Sequence, residues 1–172
     1  MDWIRLSDVM EPVELDVEVV GLTLDLGYHY SVLVEPVRLH LGVSPTAHGH
    51  SLKGSFPFRA SLPCSRCLKP VTLSGDASFL LEYQPASMAP AEEEVEAGAE
   101  TPEIVYYQED RIAFQLLVAQ QMYLEIPEKV LCDESCRGLC PRCGADLNLG
   151  ECPCPPEADP RWGNLNRLTS PQ

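Results

Sequence analysis

Apolar and acidic residues alternate through Val13-Glu14-Leu15-Asp16-Val17-Glu18-Val19, the period of two that marks a strand with one buried face. Tyr30 to Leu41 repeats the β bias, with Val32, Val34, Val37, Leu39 and Leu41 apolar. Pro36 interrupts it, as at an edge or a bulge. Gly42 to Gly49, with Pro45, predicts a loop, and Leu52 to Leu62, carrying Phe56 and Phe58, predicts a further strand. Val71 to Leu73 and Ala77 to Tyr83 flank Ser74-Gly75-Asp76, the pattern of a hairpin. Ile104 to Tyr107 predicts a short strand. The period then changes: Ile112, Leu116, Ala119, Tyr123 and Ile126 recur at helical spacing, with Gln115, Gln121 and Glu125 off the stripe and Pro127 at the end. Trp3, Ile4 and Leu6 make Met1 to Met10 a short strand or a docked arm.

These elements predict an α+β fold: a mainly antiparallel β-sheet with one principal helix in a core domain over residues 1–131, followed by a Cys-rich segment over 132–172. Two stretches break the pattern. Residues 84–102 hold Pro85, Pro90, Pro102 and the run Glu92-Glu93-Glu94, a composition that cannot bury a core and predicts a disordered acidic loop. Past Cys154, Pro155 and Pro156 interrupt regular structure, and Trp162, Leu165 and Leu168 predict a short docked tail.

Charge narrows the partners. The 172 residues carry a formal net charge of -14, and residues 91–130 alone hold ten acids against two bases. Binding driven by phosphates needs clustered Lys and Arg, so a basic protein partner suits this field better than naked nucleic acid. Arg66, Lys69, Arg137 and Arg142, on or beside the cysteine loops, are the local exception, and the three arginines are the candidate contacts for a partner or a nucleic acid. No apolar run approaches the roughly 18 residues that span a bilayer, and Met1 to Met10 lacks the basic and apolar regions of a signal peptide. The expectation is a soluble cytoplasmic protein. His29, His40, His48 and His50 read as solvated turn residues.

Eight cysteines carry the candidate chemistry: Cys64 and Cys67, then Cys132, Cys136, Cys140, Cys143, Cys152 and Cys154. Eight thiols divide into two four-thiolate sites, the donor set of a tetrahedral structural zinc ion with no open position. In Cys140-Pro141-Arg142-Cys143-Gly144, a two-residue spacer lets both sulfurs reach one ion, Pro141 pre-sets the turn, and Gly144 takes positive φ cheaply. Disulfides would also use eight cysteines, but a cytosolic setting keeps thiols reduced. Short loops close at little entropic cost, so Cys140, Cys143, Cys152 and Cys154 are expected to form one self-contained site. Cys64, Cys67, Cys132 and Cys136 would form the other, joining the sheet to the segment after the helix. The alternative sets Cys64 and Cys67 against Cys140 and Cys143. Zinc, as two structural ions, is the expected cofactor.

The Cys-x-x-Cys at Cys64, an acidic gap, a helix ending in Ile126-Pro127, the spaced cysteines from Cys132 through Gly144 to Leu147-Asn148, the pair Cys152 and Cys154, and Asp159-Pro160-Arg161 resemble the YceD family of large ribosomal RNA subunit accumulation proteins. By motif the resemblance runs from Cys64 to Leu168; the N-terminal strands match only in general pattern. It implies a bacterial cytoplasmic protein needed for accumulation of 23S ribosomal RNA, its gene commonly beside that of a small basic ribosomal protein, and it implies no established catalytic residue. Some relatives lack the downstream cysteines, so zinc chemistry is not the implied activity. The expected function is a non-enzymatic factor supporting 23S rRNA synthesis, processing or stability and large-subunit assembly. Its partners would be large-subunit precursor components, a basic ribosomal protein or a processing factor. A zinc-knuckle nucleic-acid binder, with Arg66, Arg137 and Arg142 facing phosphates, is the alternative; the negative charge and few stacking aromatics weigh against it. A thiol oxidoreductase, which needs an exposed cysteine of low pKa, is a third reading that would not explain eight thiols.

Overall fold

The computed structural model describes residues 2–26, 31–90 and 103–154, and alternating burial builds most of it. Five strands form the main sheet: β2 (Val13–Val19), β5 (Val37–Pro45), β6 (His50–Pro63), β7 (Pro70–Pro85) and β8 (Glu103–Tyr107), in the order β2-β5-β6-β7-β8. Every pairing is antiparallel except β7 with β8, which is parallel. Two small two-stranded sheets accompany it, β1 (Trp3–Ile4) with β9 (Ile112–Ala113) and β3 (Thr23–Asp25) with β4 (Ser31–Leu33). A single helix, α1 (Phe114–Glu125), completes the α+β fold among the described residues.

The alternation sorts the sheet into two faces. Leu39, Leu41, Val43, Leu52, Phe56 and Leu62 are 0–1% exposed, while Arg38, His40, Lys53, Ser55 and Arg59 between them face solvent. Each such buried side chain contributes roughly 1.5–3 kcal/mol relative to leaving it in water. Phe114, Leu117, Val118 and Met122 of α1 join the same core. Leu6, in the arm after β1, is fully buried there as well.

Several expectations change. Ser74-Gly75-Asp76 makes no turn: β7 runs straight through it, and the three residues pair with Arg59, Phe58 and Pro57 of β6. The glycine serves a ring instead, because a Cβ at Gly75 would lie 3.1 Å from Phe58. The hairpin that does form is β6–β7, and its tip is the Cys64–Lys69 stretch. The loop expected at 42–49 shrinks to a turn after Pro45, closed by Thr46 N–H donating to the Gly49 carbonyl at 2.8 Å. His50 therefore begins β6, and His40 lies in β5 with its ring paired to Asp16 across to β2; only His48 sits in the turn. His29 lies outside the described residues.

The acidic loop expected from residue 84 starts too early, since Gln84 and Pro85 belong to β7 and Ala86–Met88 form a 3-10 turn; residues 91–102 lie outside the described residues. The tail at 155–172 does as well. The helix stripe also moves. Leu116 and Tyr123, placed inward by the sequence pattern, are 58% and 43% exposed, and the buried set is Phe114, Leu117, Val118 and Met122. Apolar residues lie all around α1, so the period of 3.6 alone does not choose a face. Tyr123 is held at the edge by polar bonds: its hydroxyl accepts the Asp25 N–H at 2.9 Å and donates to the Asp25 carbonyl at 3.0 Å.

Candidate metal centres

The first thiol set grows out of the β6–β7 tip. Cys64 N–H donates to the Lys69 carbonyl at 2.8 Å, and Leu68 N–H donates to the Cys64 carbonyl at 2.9 Å. This tight loop aims Cys64 and Cys67 the same way. After α1 the chain returns past the loop: Ser65 N–H donates to the Val130 carbonyl at 2.7 Å, and Val130 N–H donates to Ser65 Oγ at 3.2 Å. That docking lays Cys132 and Cys136 against the pair. Cys64, Cys67 and Cys136 are buried with Val71, Leu131 and Leu139 in a small cluster separate from the main core.

The second set repeats the loop. Cys140 N–H donates to the Ala145 carbonyl at 2.8 Å, and Gly144 N–H donates to the Cys140 carbonyl at 2.9 Å. In both copies the residue after the second cysteine is left-handed, Leu68 at φ 62° and Gly144 at φ 70°. Glycine takes that conformation freely and leucine does not. Cys152 and Cys154 complete the group.

All eight thiols are free of disulfides. The four sulfurs of Cys64, Cys67, Cys132 and Cys136 lie within 4.8 Å of one another, as do those of Cys140, Cys143, Cys152 and Cys154. Cys64 and Cys136 are 3.8 Å apart and Cys67 and Cys132 3.5 Å. A tetrahedron with metal–sulfur bonds of about 2.3 Å has sulfur–sulfur edges of about 3.8 Å, whereas a disulfide closes to about 2.05 Å. Each set is thus a donor set that could hold one metal ion. Of the two groupings open on sequence, this is the one that closes each set within itself; Cys64 and Cys67 do not share a set with Cys140 and Cys143.

Electrostatics point the same way. Burial pushes the Cys64 thiol up, but the N–H groups of Cys67, Cys132 and Arg66 outweigh it and bring it down to about 6. The thiols of Cys67 and Cys136 push Cys132 the other way, to about 12. In the second set the N–H groups of Cys143 and Arg142 lower Cys140 to about 6, and the Cys143 thiol, followed by burial and Cys140, raises Cys154 to about 12. Each set has one thiol primed to ionise beside one that its neighbours hold protonated. A divalent cation resolves that conflict, because it favours thiolate at all four positions.

The two sets touch. Leu139 N–H donates to the Arg66 carbonyl at 3.1 Å, and a Cβ on Gly138 would lie 2.9 Å from that same oxygen, so a residue without one belongs there. Arg66, a candidate partner contact on sequence, turns its guanidinium to the carbonyls of Glu134 and Cys136 at 3.0 and 2.7 Å. Arg137 offers its N–H to Asn148 Oδ1 at 2.7 Å, and Arg142 lies within the second loop. Lys69 meets Asp146 at 2.7 Å. The Lys69 ammonium, then the Asn148 N–H, hold the Asp146 carboxyl below its usual range. The second set is therefore local in its ligands but not self-contained in its packing. Sequence reasoning missed Ser65 and Asp146; it noted Lys69 only as a base beside the cysteine loops and Leu147-Asn148 only as part of a motif, with no role for either.

The profile of the YceD family, described as large ribosomal RNA subunit accumulation protein, matches residues 52–169 and so covers both thiol sets. Uncharacterized proteins of Mycobacterium bovis and Mycobacterium tuberculosis are each 26% identical over 136 residues, 78% of this chain and 62% of theirs. The chain thus spans about three fifths of the length of these curated relatives. A chloroplast protein of Arabidopsis thaliana, named a large ribosomal RNA subunit accumulation protein YCED homolog, is 42% identical over 48 residues, 27% of this chain and 15% of its own. No solved structure matches the chain significantly.

Proposed function

The chain belongs to the YceD family of large ribosomal RNA subunit accumulation proteins, and from that membership we propose that it is a non-enzymatic cytoplasmic factor supporting 23S rRNA synthesis, processing or stability and large-subunit assembly. The observation that carries this is the extent of the family match, which takes in both cysteine sets and the sheet strands that support them. The two sets are proposed to hold zinc, one ion each, as structural ions with Cys64, Cys67, Cys132 and Cys136 on one and Cys140, Cys143, Cys152 and Cys154 on the other. Four thiolates leave a tetrahedral ion no open position for substrate, which favours a structural role over a catalytic one. Zinc held by reduced thiols suits a reducing compartment.

The partner proposed is a basic protein of the large-subunit precursor. Glu14, Asp16 and Glu18 form an exposed acidic row on β2, an edge strand of the sheet, and the whole chain carries -14. Such a surface attracts a cationic partner and repels bare phosphate. With its edge acids solvated, the association weakens as salt shortens the screening length below about 8 Å.

Depleting the protein from its own cells and measuring 23S against 16S rRNA tests the function; a selective fall in 23S is expected, and an unchanged ratio overturns it. Capture of the tagged protein before and after nuclease tests the partner. Retention of a basic ribosomal protein after nuclease is expected. Loss of all association would favour direct RNA binding instead.

A further inference from the structure

The geometry points to Asn148 as the residue that couples the two thiol sets, so that filling the C-terminal set raises the metal affinity of the other. The inference rests on the metal reading of the sets and concerns how they act together.

Asn148 lies in the loop between Cys143 and Cys152, a loop that the second set closes. Its side chain nevertheless serves the first. Asn148 Nδ2 donates to Cys136 Sγ at 3.5 Å and to Asp146 Oδ1 at 2.7 Å, while Oδ1 accepts the Arg137 N–H at 2.7 Å. An amide has one acceptor and two donor hydrogens, and all three directions are used. The amide orientation is therefore fixed by its partners: reversing it would set an oxygen against both a sulfur and a carboxylate.

The loop is held over the first set by more than this one side chain. Asn148 N–H and Lys69 both bind the Asp146 carboxylate, at 2.9 and 2.7 Å, and Lys69 belongs to the first loop. Leu147 N–H donates to the Gly138 carbonyl at 2.9 Å, and Leu139 pairs with Asp146. An N–H donated to a metal-bound thiolate withdraws charge from the sulfur and fixes its direction. Groups at that distance commonly change metal affinity by about 10–100-fold. If a metal on Cys140, Cys143, Cys152 and Cys154 orders this loop, it also delivers the amide to Cys136. Linkage makes the effect mutual: a metal on the first set raises the affinity of the second by the same factor.

The test uses the full chain, stripped and reloaded with zinc against a chromophoric chelator, and with cobalt to read each site's thiolate-to-metal charge-transfer band. Asn148→Ala is expected to lower the affinity of the first set about tenfold when the second is filled, to lower that of the second by the same factor when the first is filled while leaving it within about twofold when the first is empty, and to shift the charge-transfer band of cobalt still bound at the first set. Asn148→Asp keeps the acceptor for Arg137 but faces a carboxylate toward Cys136 and Asp146, and is expected to lose more. Asn148→Gln, which can still present an amide hydrogen, recovers part of the loss. Cys154→Ser, which opens the second set, is expected to lower the first set's affinity as well. A shifted band at full occupancy reads the bond to sulfur itself, which a merely structural role for Asn148 would not move. Two zinc ions bound with unchanged affinities and an unchanged band in Asn148→Ala overturn the coupling alone. A wild-type chain that takes up no metal overturns the metal reading and the coupling together.

Discussion

Leu68 and Gly144 occupy the same place in two copies of one loop, and only one of them suits it. Both are left-handed, at φ 62° and 70°. A residue with a Cβ pays roughly 1–2 kcal/mol there. Leu68 is 62% exposed, so little packing offsets the strain. Leu68→Gly relieves it and gives back about 0.5–1 kcal/mol through a freer unfolded chain, for a net gain of about 0–1.5 kcal/mol. Gly144→Ala has no neighbour within 4 Å to clash with, so its loss is the backbone penalty alone, about 1 kcal/mol. Thermal unfolding of the zinc-loaded variants checks both signs. A Leu68→Gly variant that unfolds several degrees lower would mean that the leucine side chain is held in a contact that outweighs its backbone. The sequence advertised this loop at Gly144 and hid it at Leu68, because a leucine gives no sign of the φ it is forced to take.

At the scale of elements, the alternating strands were legible because one face of the sheet is buried and the other wet, which writes a period of two directly into Val13–Val19 and Val37–Pro45. At Pro36 the reading was too simple: no edge or bulge of one strand lies there but a break between β4 and β5, which belong to different sheets. The long β6–β7 hairpin was not legible. Ser74-Gly75-Asp76 has turn chemistry, and only the Phe58 ring across the sheet explains why glycine sits in mid-strand. The parallel placement of β8 on β7 depends on chain paths that no local pattern records. The helix was found, but its inward face was not, since Leu116, Leu117, Val118, Met122, Tyr123 and Leu124 surround it. The observed face makes a sharp comparison. Phe114→Ala, at a side chain 1% exposed, is expected to cost about 3–5 kcal/mol. Leu116→Ala, on the outer face, is expected to stay within about 0.5 kcal/mol. Denaturant unfolding of the two variants reads the difference, and equal losses would mean that the outer face is packed too.

For the whole molecule, the thiol sets stand apart from the main core, and that separation decides what metal does for the fold. All eight cysteines could be named from sequence, because their spacing is local chemistry; the bonds from Arg66, Asn148 and Lys69 that lock one set onto the other are long-range and had no signature. Cys64, Cys67 and Cys136 form a small cluster with Val71, Leu131 and Leu139, while the sheet and α1 share a cluster that contains no thiol. A structural zinc contributes on the order of 10–16 kcal/mol of apparent binding free energy in small domains that fold only around it, but here the sheet buries a face of its own that involves none of the thiols. Chelation is therefore expected to unfold locally. Hydrogen exchange should lose protection over residues 131–154 and at the β6–β7 tip around 62–71, where the Ser65–Val130 bonds and the Arg66 bridge let go. The middle of the sheet, at Leu39, Leu41, Leu52 and Phe56, should keep its protection, because those side chains belong to the main core cluster and not to that of the cysteines. Cys67→Ser should reproduce this pattern without chelator, and zinc added back should restore protection in the wild type alone. Loss of protection at Leu39 and Phe56 on chelation would show that the metal sets hold the sheet itself, and would make the thiols part of the folding nucleus rather than a clasp on a finished fold.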